Sequence, residues 1–198
     1  MRLLHSPSSP YSVKVRLAAA LCDLPLETQV VDTTANPDDL LAANPLGKIP
    51  TLVLDDGSTI YDSRVICEYF DRRSGNALIP QTDAEWLQAK RVEALADGVV
   101  DGAILVVYEA RFRPEEKRFE GWTDRQWAKA SRGLDRLEAE IDELPEAVNI
   151  GHLAVAAMLS WAELRFQGKW DGGRPKLRAF FDGFADRFPP FAETRSKA

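Results

Sequence analysis

NPLGKIPTLVLDDGSTIYDSRVICEYF, residues 44–70, decides how this chain folds. Pro50 cannot donate to a strand ladder, so the strand that begins with TLVL starts there or lies at an edge. TLVL and TIY flank DDGS, and two β-rich runs around an Asp-Gly turn predict an antiparallel hairpin. The helix that follows carries Val65, Ile66, Tyr69 and Phe70 on one face, with Gly75 as its stop.

Working back toward the start, MRLLH is a short apolar run that predicts a first strand. Residues 10–23 place Val13, Leu17, Ala20 and Leu21 at helical spacing. Pro25 breaks that pattern, ETQVVD alternates as a second strand, and DDLLAAN is weakly helical. The order β-α-β-(α)-β-β-α contains one βαβ unit, hence two parallel strands joined by a right-handed crossover, with the hairpin added antiparallel.

Working forward, nothing beyond Gly75 reads as a strand. Residues 84–113 predict one long helix stopped by Pro114, with Gly98 and Gly102 as bends or close-packing points. TDRQ, residues 123–126, fits a capping box opening a helix over 124–144. Asn149 fits the cap of an apolar helix over 150–166. Pro175 fits the start of a last one, with Phe180, Phe181 and Phe184 facing inward. The reading is an α/β unit at 1–78 followed by an all-helical unit at 84–198.

Composition narrows the function classes. With 45% hydrophobic residues, nine Phe and five Trp, the chain has the make-up of a globular protein. A net charge of −6 argues against nucleic-acid partners, which need concentrated Lys and Arg. No apolar run is long enough for a membrane span and no secretory leader is visible, so a cytoplasmic location without membrane contact is expected. Two Cys and two His without ligand spacing predict no metal site and no disulfide framework.

Three short stretches carry chemistry. In SPSSPYSVKVR, residues 6–16, Ser9-Pro10 pairs a strong N-cap with a residue favoured in the first helical turn. The Ser9 hydroxyl then sits at the positive end of a helix, where an anion is favoured. A hydroxyl there can donate to a thiolate that a ligand brings, and it reads equally as a plain cap. In NPLGKIPTL, a cis Ile49-Pro50 bond would turn the Ile49 backbone outward to pair with an extended peptide ligand. An ordinary loop-to-strand turn is the other reading. In DSRVI, Asp62 and Ser63 open a helix whose N–H groups suit a carboxylate, and here too simple capping competes.

Together, SPYSVKVR, NPLGKIPTL and DSRVICEYF resemble the amino-terminal domain of cytosolic glutathione transferases, and the helical remainder resembles their second domain. The resemblance implies a thioredoxin-like glutathione-binding domain, an all-helical domain that forms the electrophile pocket, and a homodimer. It places the catalytic hydroxyl at Ser9, seven residues before Arg16, with Ser8 as competitor and Pro10 beside it. Ile49 matches the backbone partner of the cysteinyl unit, ahead of Pro50. Asp62 and Ser63 match the holders of the γ-glutamyl end. Asp97 and Asp101 share a helix face, and Asp101 resembles an acidic residue that reaches the γ-glutamyl amine of a neighbouring subunit. A solvated acidic face explains both aspartates as well. Lys48 and Arg64 suit the ligand's carboxylates, and surface charge suits them equally. Tyr108, Arg111 and Trp161 are the candidates for the electrophile pocket. His152 stands where many members of the family carry Asp in a capping box, and a structural role is expected for it.

The activity implied is conjugation of glutathione, as co-substrate, to a small electrophile in detoxification. A thiol transferase is disfavoured because position 9 lacks a thiol. An isomerase is disfavoured because its Ser-Ser-Cys opening is here Ser8-Ser9-Pro10. A transferase-like regulator, similar to bacterial stringent-starvation proteins, is the non-enzymatic alternative.

Overall fold

The computed structural model describes residues 1–197. Strand β1 (Arg2–His5) leads through helix α1 (Pro10–Leu21) to β2 (Glu27–Val30), and β1 and β2 pair in parallel. A short helix α2 (Asp38–Ala43) precedes the hairpin of β3 (Thr51–Val53) and β4 (Thr59–Ile60), which is antiparallel and carries Asp56-Gly57 in its turn. The sheet is four-stranded, in the order β2-β1-β3-β4, with β3 antiparallel to β1. Helix α3 (Ser63–Arg73) closes this unit.

Successive side chains of β1 point to opposite faces. Leu3 joins the larger core with Val15 and Leu17 of α1 and Phe70 of α3, while Leu4 packs with Val31 and Leu40 under α2. The buried Asp71 carboxylate accepts the amide N–H groups of Leu78 and Ile79, at 2.9 and 2.8 Å, and so fixes the connection out of α3.

Helices follow: α4 (Asp83–Phe112), α5 (Glu120–Glu140), α6 (Ile150–Phe166), α7 (Pro175–Arg187) and a short α8 (Pro190–Thr194). Residues 150–162 of α6 are buried all round, as expected of a helix that runs through a core. It packs against both α1 and α4, so one apolar core joins the sheet unit to the helices. The thioredoxin-like layer followed by helices is the architecture expected from the sequence.

Some local readings change. Helix α5 begins at Glu120, and Thr123 does not cap it: its hydroxyl donates to the Glu120 carbonyl inside the first turn, at 2.8 Å. The Glu109 carboxylate accepts the Phe119 N–H instead, at 3.1 Å. Gly102 is a packing point, since a Cβ there would lie 3.1 Å from the Gln126 carbonyl oxygen, whereas Gly98 faces open space. Asn149 does cap α6, in a reciprocal box with His152: Gly151 N–H donates to Asn149 Oδ1 at 3.0 Å and Asn149 N–H to His152 Nδ1 at 3.3 Å. His152 is therefore structural. Pro189-Pro190 separates α7 from short α8, a break written in the sequence that the reading above does not use.

Candidate functional site

The site is built first from the start of α1. Ser9 has extended backbone angles, and its Oγ accepts the Ser12 N–H at 3.3 Å while its carbonyl accepts the Val13 N–H at 3.0 Å. Pro10 has no N–H, so Tyr11 carries the amide of this first turn that lacks an intrahelical acceptor. Capping uses a lone pair of the Ser9 oxygen and leaves its proton free to donate. Capping and donation to an anion are thus compatible in one side chain. Ser8 sits in a second hydroxyl pair, with its Oγ 3.1 Å from Ser6 Oγ and its amide donating to the same oxygen at 3.4 Å.

Tyr11 has a different assignment. Its phenol donates to the Asp101 carboxylate. Burial first, and that hydrogen bond second, hold the phenol far above its ordinary pKa. The phenol stays protonated with its proton committed to Asp101, so it cannot act as a base.

The loop before β3 is held from within. Asn44 is 1% exposed. Its Nδ2 donates to the Lys48 carbonyl at 2.9 Å and to Thr51 Oγ1 at 3.1 Å, and its Oδ1 accepts the Leu46 N–H at 3.0 Å. Thr51 Oγ1 donates to the same Lys48 carbonyl at 2.8 Å. Gly47 adopts φ +59°, which glycine reaches without a Cβ penalty. The Ile49-Pro50 bond is cis.

At the start of α3 the Asp62 carboxylate accepts the Arg64 N–H at 3.0 Å, and Ser63 is buried. Arg64 Nε donates to Asp97 Oδ2 at 2.9 Å. Asp97 is not on a solvated face: Lys14, 1% exposed, places its Nζ 2.9 and 2.8 Å from the two Asp97 oxygens and 3.2 Å from Glu93 Oε1. Lys90 pairs with the other side of Glu93, at 2.6 Å. An ion network thus joins α1, α3 and α4 beside the site.

A cavity of about 710 Å³ lies between the α1 terminus and the helices. Ser8, Ser9, Pro10, Lys48 and Ile49 line one side. Asp101, Tyr108, Arg111 and Trp161 line the other. Four expected residues fall outside its lining: Pro50 is buried, and Asp62, Ser63 and Arg64 stand at the α3 terminus. Sequence reasoning missed Tyr11, Thr33, Thr34, Asn36, Phe112 and Arg165, which also line the cavity. The helical ones had a signal: Tyr108 and Phe112, like Trp161 and Arg165, are four residues apart and share a face. The Thr33–Ala35 turn offered none.

Both cysteines are buried. Burial pushes the Cys67 thiol far up, and Cys22 is raised for the same reason. Among the described residues no group of three or more His, Cys, Asp or Glu is placed to hold a metal, and no helix is long and apolar enough to cross a membrane.

Comparison with known proteins adds family and fold. The models described as glutathione S-transferase N-terminal and C-terminal domains match residues 8–73 and 120–183. An uncharacterized GST-like protein, YibF, of Escherichia coli is 30% identical, over 98% of each chain. A stringent starvation protein A homolog of Pasteurella multocida is 38% identical, but over only 37% of this chain and 34% of its own. Among solved structures, a glutathione S-transferase of Methylobacillus flagellatus with glutathione bound superposes with a TM-score of 0.91, at 37% identity over 99% of each chain.

Proposed function

The chain belongs to the glutathione S-transferase family, and we propose that it binds reduced glutathione and conjugates the thiolate to a small electrophile. The observation that carries this reading is Ser9: its oxygen already accepts from Ser12, its proton is free, and it borders the cavity at a helix N-terminus. A free thiol titrates near ~8.5, and lowering it by ~2 units requires about 2.7 kcal/mol of thiolate stabilisation. A charge-assisted hydrogen bond supplies roughly 1.5–3 kcal/mol and a helix terminus roughly 0.3–1 kcal/mol. The two together match the need.

In this reading the Ile49 backbone pairs with the cysteinyl unit, Asp62 and Ser63 hold the γ-glutamyl end, and Lys48 attracts the glycyl carboxylate. Tyr108, Arg111 and Trp161 receive the electrophile. Thiolate attack forms the C–S bond, and the electrophile's leaving group or π-electrons take up the negative charge. A thiol transferase route is disfavoured because Cys22 and Cys67 are both buried. Val65, Trp86 and Leu87 are exposed on α3 and α4, which supports a homodimer through that face.

The partial match to a stringent-starvation homolog favours one rival, a regulator with no use for glutathione. Isothermal titration with glutathione and conjugation of chlorodinitrobenzene separate the two. Binding with turnover is expected. No binding at millimolar glutathione would remove the transferase reading.

A further inference from the structure

The wall of the cavity away from Ser9 holds two arginines, Arg111 of the electrophile pocket and Arg165, which has no role in the reading above. Arg111 lies in the last turn of α4 and Arg165 in the last turn of α6, and both line the same cavity. Among the described residues neither forms an ion pair, although arginines 64, 91, 113, 136, 174 and 178 all do. The cavity lining carries Lys48, Arg111 and Arg165 against one carboxylate, Asp101, which is occupied by the Tyr11 phenol. Asp32 stands nearby. Its hydrogen bonds go to its own turn, through Thr34 Oγ1 at 2.7 Å and the Thr34 N–H at 2.9 Å, and Arg111 attracts it without pairing with it, so the three cations face two carboxylates. In a chain of net charge −6 this is a local cationic excess.

The same wall is aromatic. Tyr108 and Phe112 meet edge to face with centroids 5.3 Å apart, and the Arg111 guanidinium lies 5.3 Å from the Phe112 centroid. Trp161, one helical turn before Arg165, continues the surface. A planar fork held against aromatic rings suits a carboxylate on a flat, apolar body, because it pairs both carboxylate oxygens while the rings cover the rest.

We infer that the electrophile subsite selects anionic substrates, aryl or similarly flat electrophiles bearing a carboxylate, which Arg111 and Arg165 receive. This rests on the transferase reading and names its substrate class. The thiolate forms its bond at an electrophilic carbon remote from the carboxylate. With a chloroarene the C–Cl bond breaks and chloride leaves with the electron pair, so no further reactant is needed.

The test compares a chloronitrobenzoate with the matching chloronitrobenzamide, each kcat/KM divided by its uncatalysed rate with glutathione. The wild type is expected to favour the benzoate. Arg111→Gln and Arg165→Gln should each lower the benzoate-to-benzamide ratio about tenfold or more, as loss of a charge-assisted hydrogen bond implies, and Arg111→Lys should retain part of it. A wild type without preference, or a ratio unmoved in the double Gln variant, overturns the inference, while turnover of the benzamide leaves the transferase reading standing. Titration with the two synthetic glutathione adducts, carboxylate and carboxamide, covers an inactive protein. Tighter binding of the carboxylate adduct, lost in the double variant, supports the anionic subsite even if conjugation fails. Equal binding, or binding of neither adduct, overturns it.

Discussion

Lys14 and Asp97 meet inside the protein, the ammonium 2.9 and 2.8 Å from the two carboxylate oxygens, with Lys14 1% and Asp97 5% exposed. Removing one partner of a buried pair leaves an uncompensated charge and costs roughly 3–5 kcal/mol. Arg64 and Lys90 still face the acids, which places Lys14→Met at the lower end. Urea unfolding should show about 3 kcal/mol lost, with partial recovery in Lys14→Met/Asp97→Asn. Burial pushes the Lys14 pKa down, but Asp97 foremost outweighs it and the net shift is upward. The stabilisation is therefore complete below the ordinary lysine range and is lost as pH rises through the elevated value. A Lys14→Met protein as stable as wild type would remove the network from the stability account.

His152 should make the protein acid-sensitive. Burial, then the Arg187 charge, lower its pKa to about 4, and its Nδ1 must stay unprotonated to accept from Asn149. Unfolded, it titrates near ~6.5. The unfolded chain thus binds more protons between those values, and stability falls as pH drops through that window. About 1.4 kcal/mol should be gone one pH unit below the unfolded value. Thermal melts of wild type and His152→Asn against pH check this: the variant should lose that slope, and parallel curves would refute the assignment.

Ser9 and Tyr11 should separate in their effect on the bound thiol. Ser9→Ala should raise the pKa of bound glutathione, read from thiolate ultraviolet absorbance, and cut turnover by about ten- to a hundredfold. Tyr11→Phe should leave that pKa in place, because its proton goes to Asp101. If Ser8→Ala, and not Ser9→Ala, moves the titration, the hydroxyl belongs to Ser8.

Asn44 should govern glutathione affinity from beneath the site. Asn44→Ala removes three hydrogen bonds that hold the loop behind Lys48 and Ile49. At about 1 kcal/mol each, before relaxation, stability should drop by roughly 2 kcal/mol and glutathione binding should weaken about tenfold in calorimetry. Unchanged affinity would mean the loop keeps its shape without Asn44.

What the sequence revealed depended on how far apart the partners lie. The hairpin, the Ser9-Pro10 helix start and the Asn149 cap are written in neighbouring residues, and the structure has each of them. Thr123 misled because a hydroxyl that bonds back to the preceding turn satisfies the same short pattern as a cap. Asp97 read as a solvated acid because Lys14, the residue that buries it, is 83 positions away. Arg165 shares a helix face with Trp161, but packing of α6 beside α4 is what makes that face a cavity wall.

One contact ties the two extremes of the chain to the same spot. The Lys197 N–H donates to the Pro7 carbonyl at 3.2 Å, and the Ser196 N–H reaches Ser160 Oγ at 2.6 Å. The serine loop ahead of α1 is thus clasped by a residue about 190 positions further along the chain. On the ribosome, a nascent chain can assemble its sheet early, yet it must emerge through Lys197 before this loop is latched. Synthesis itself would then delay the site until the helical half is in place.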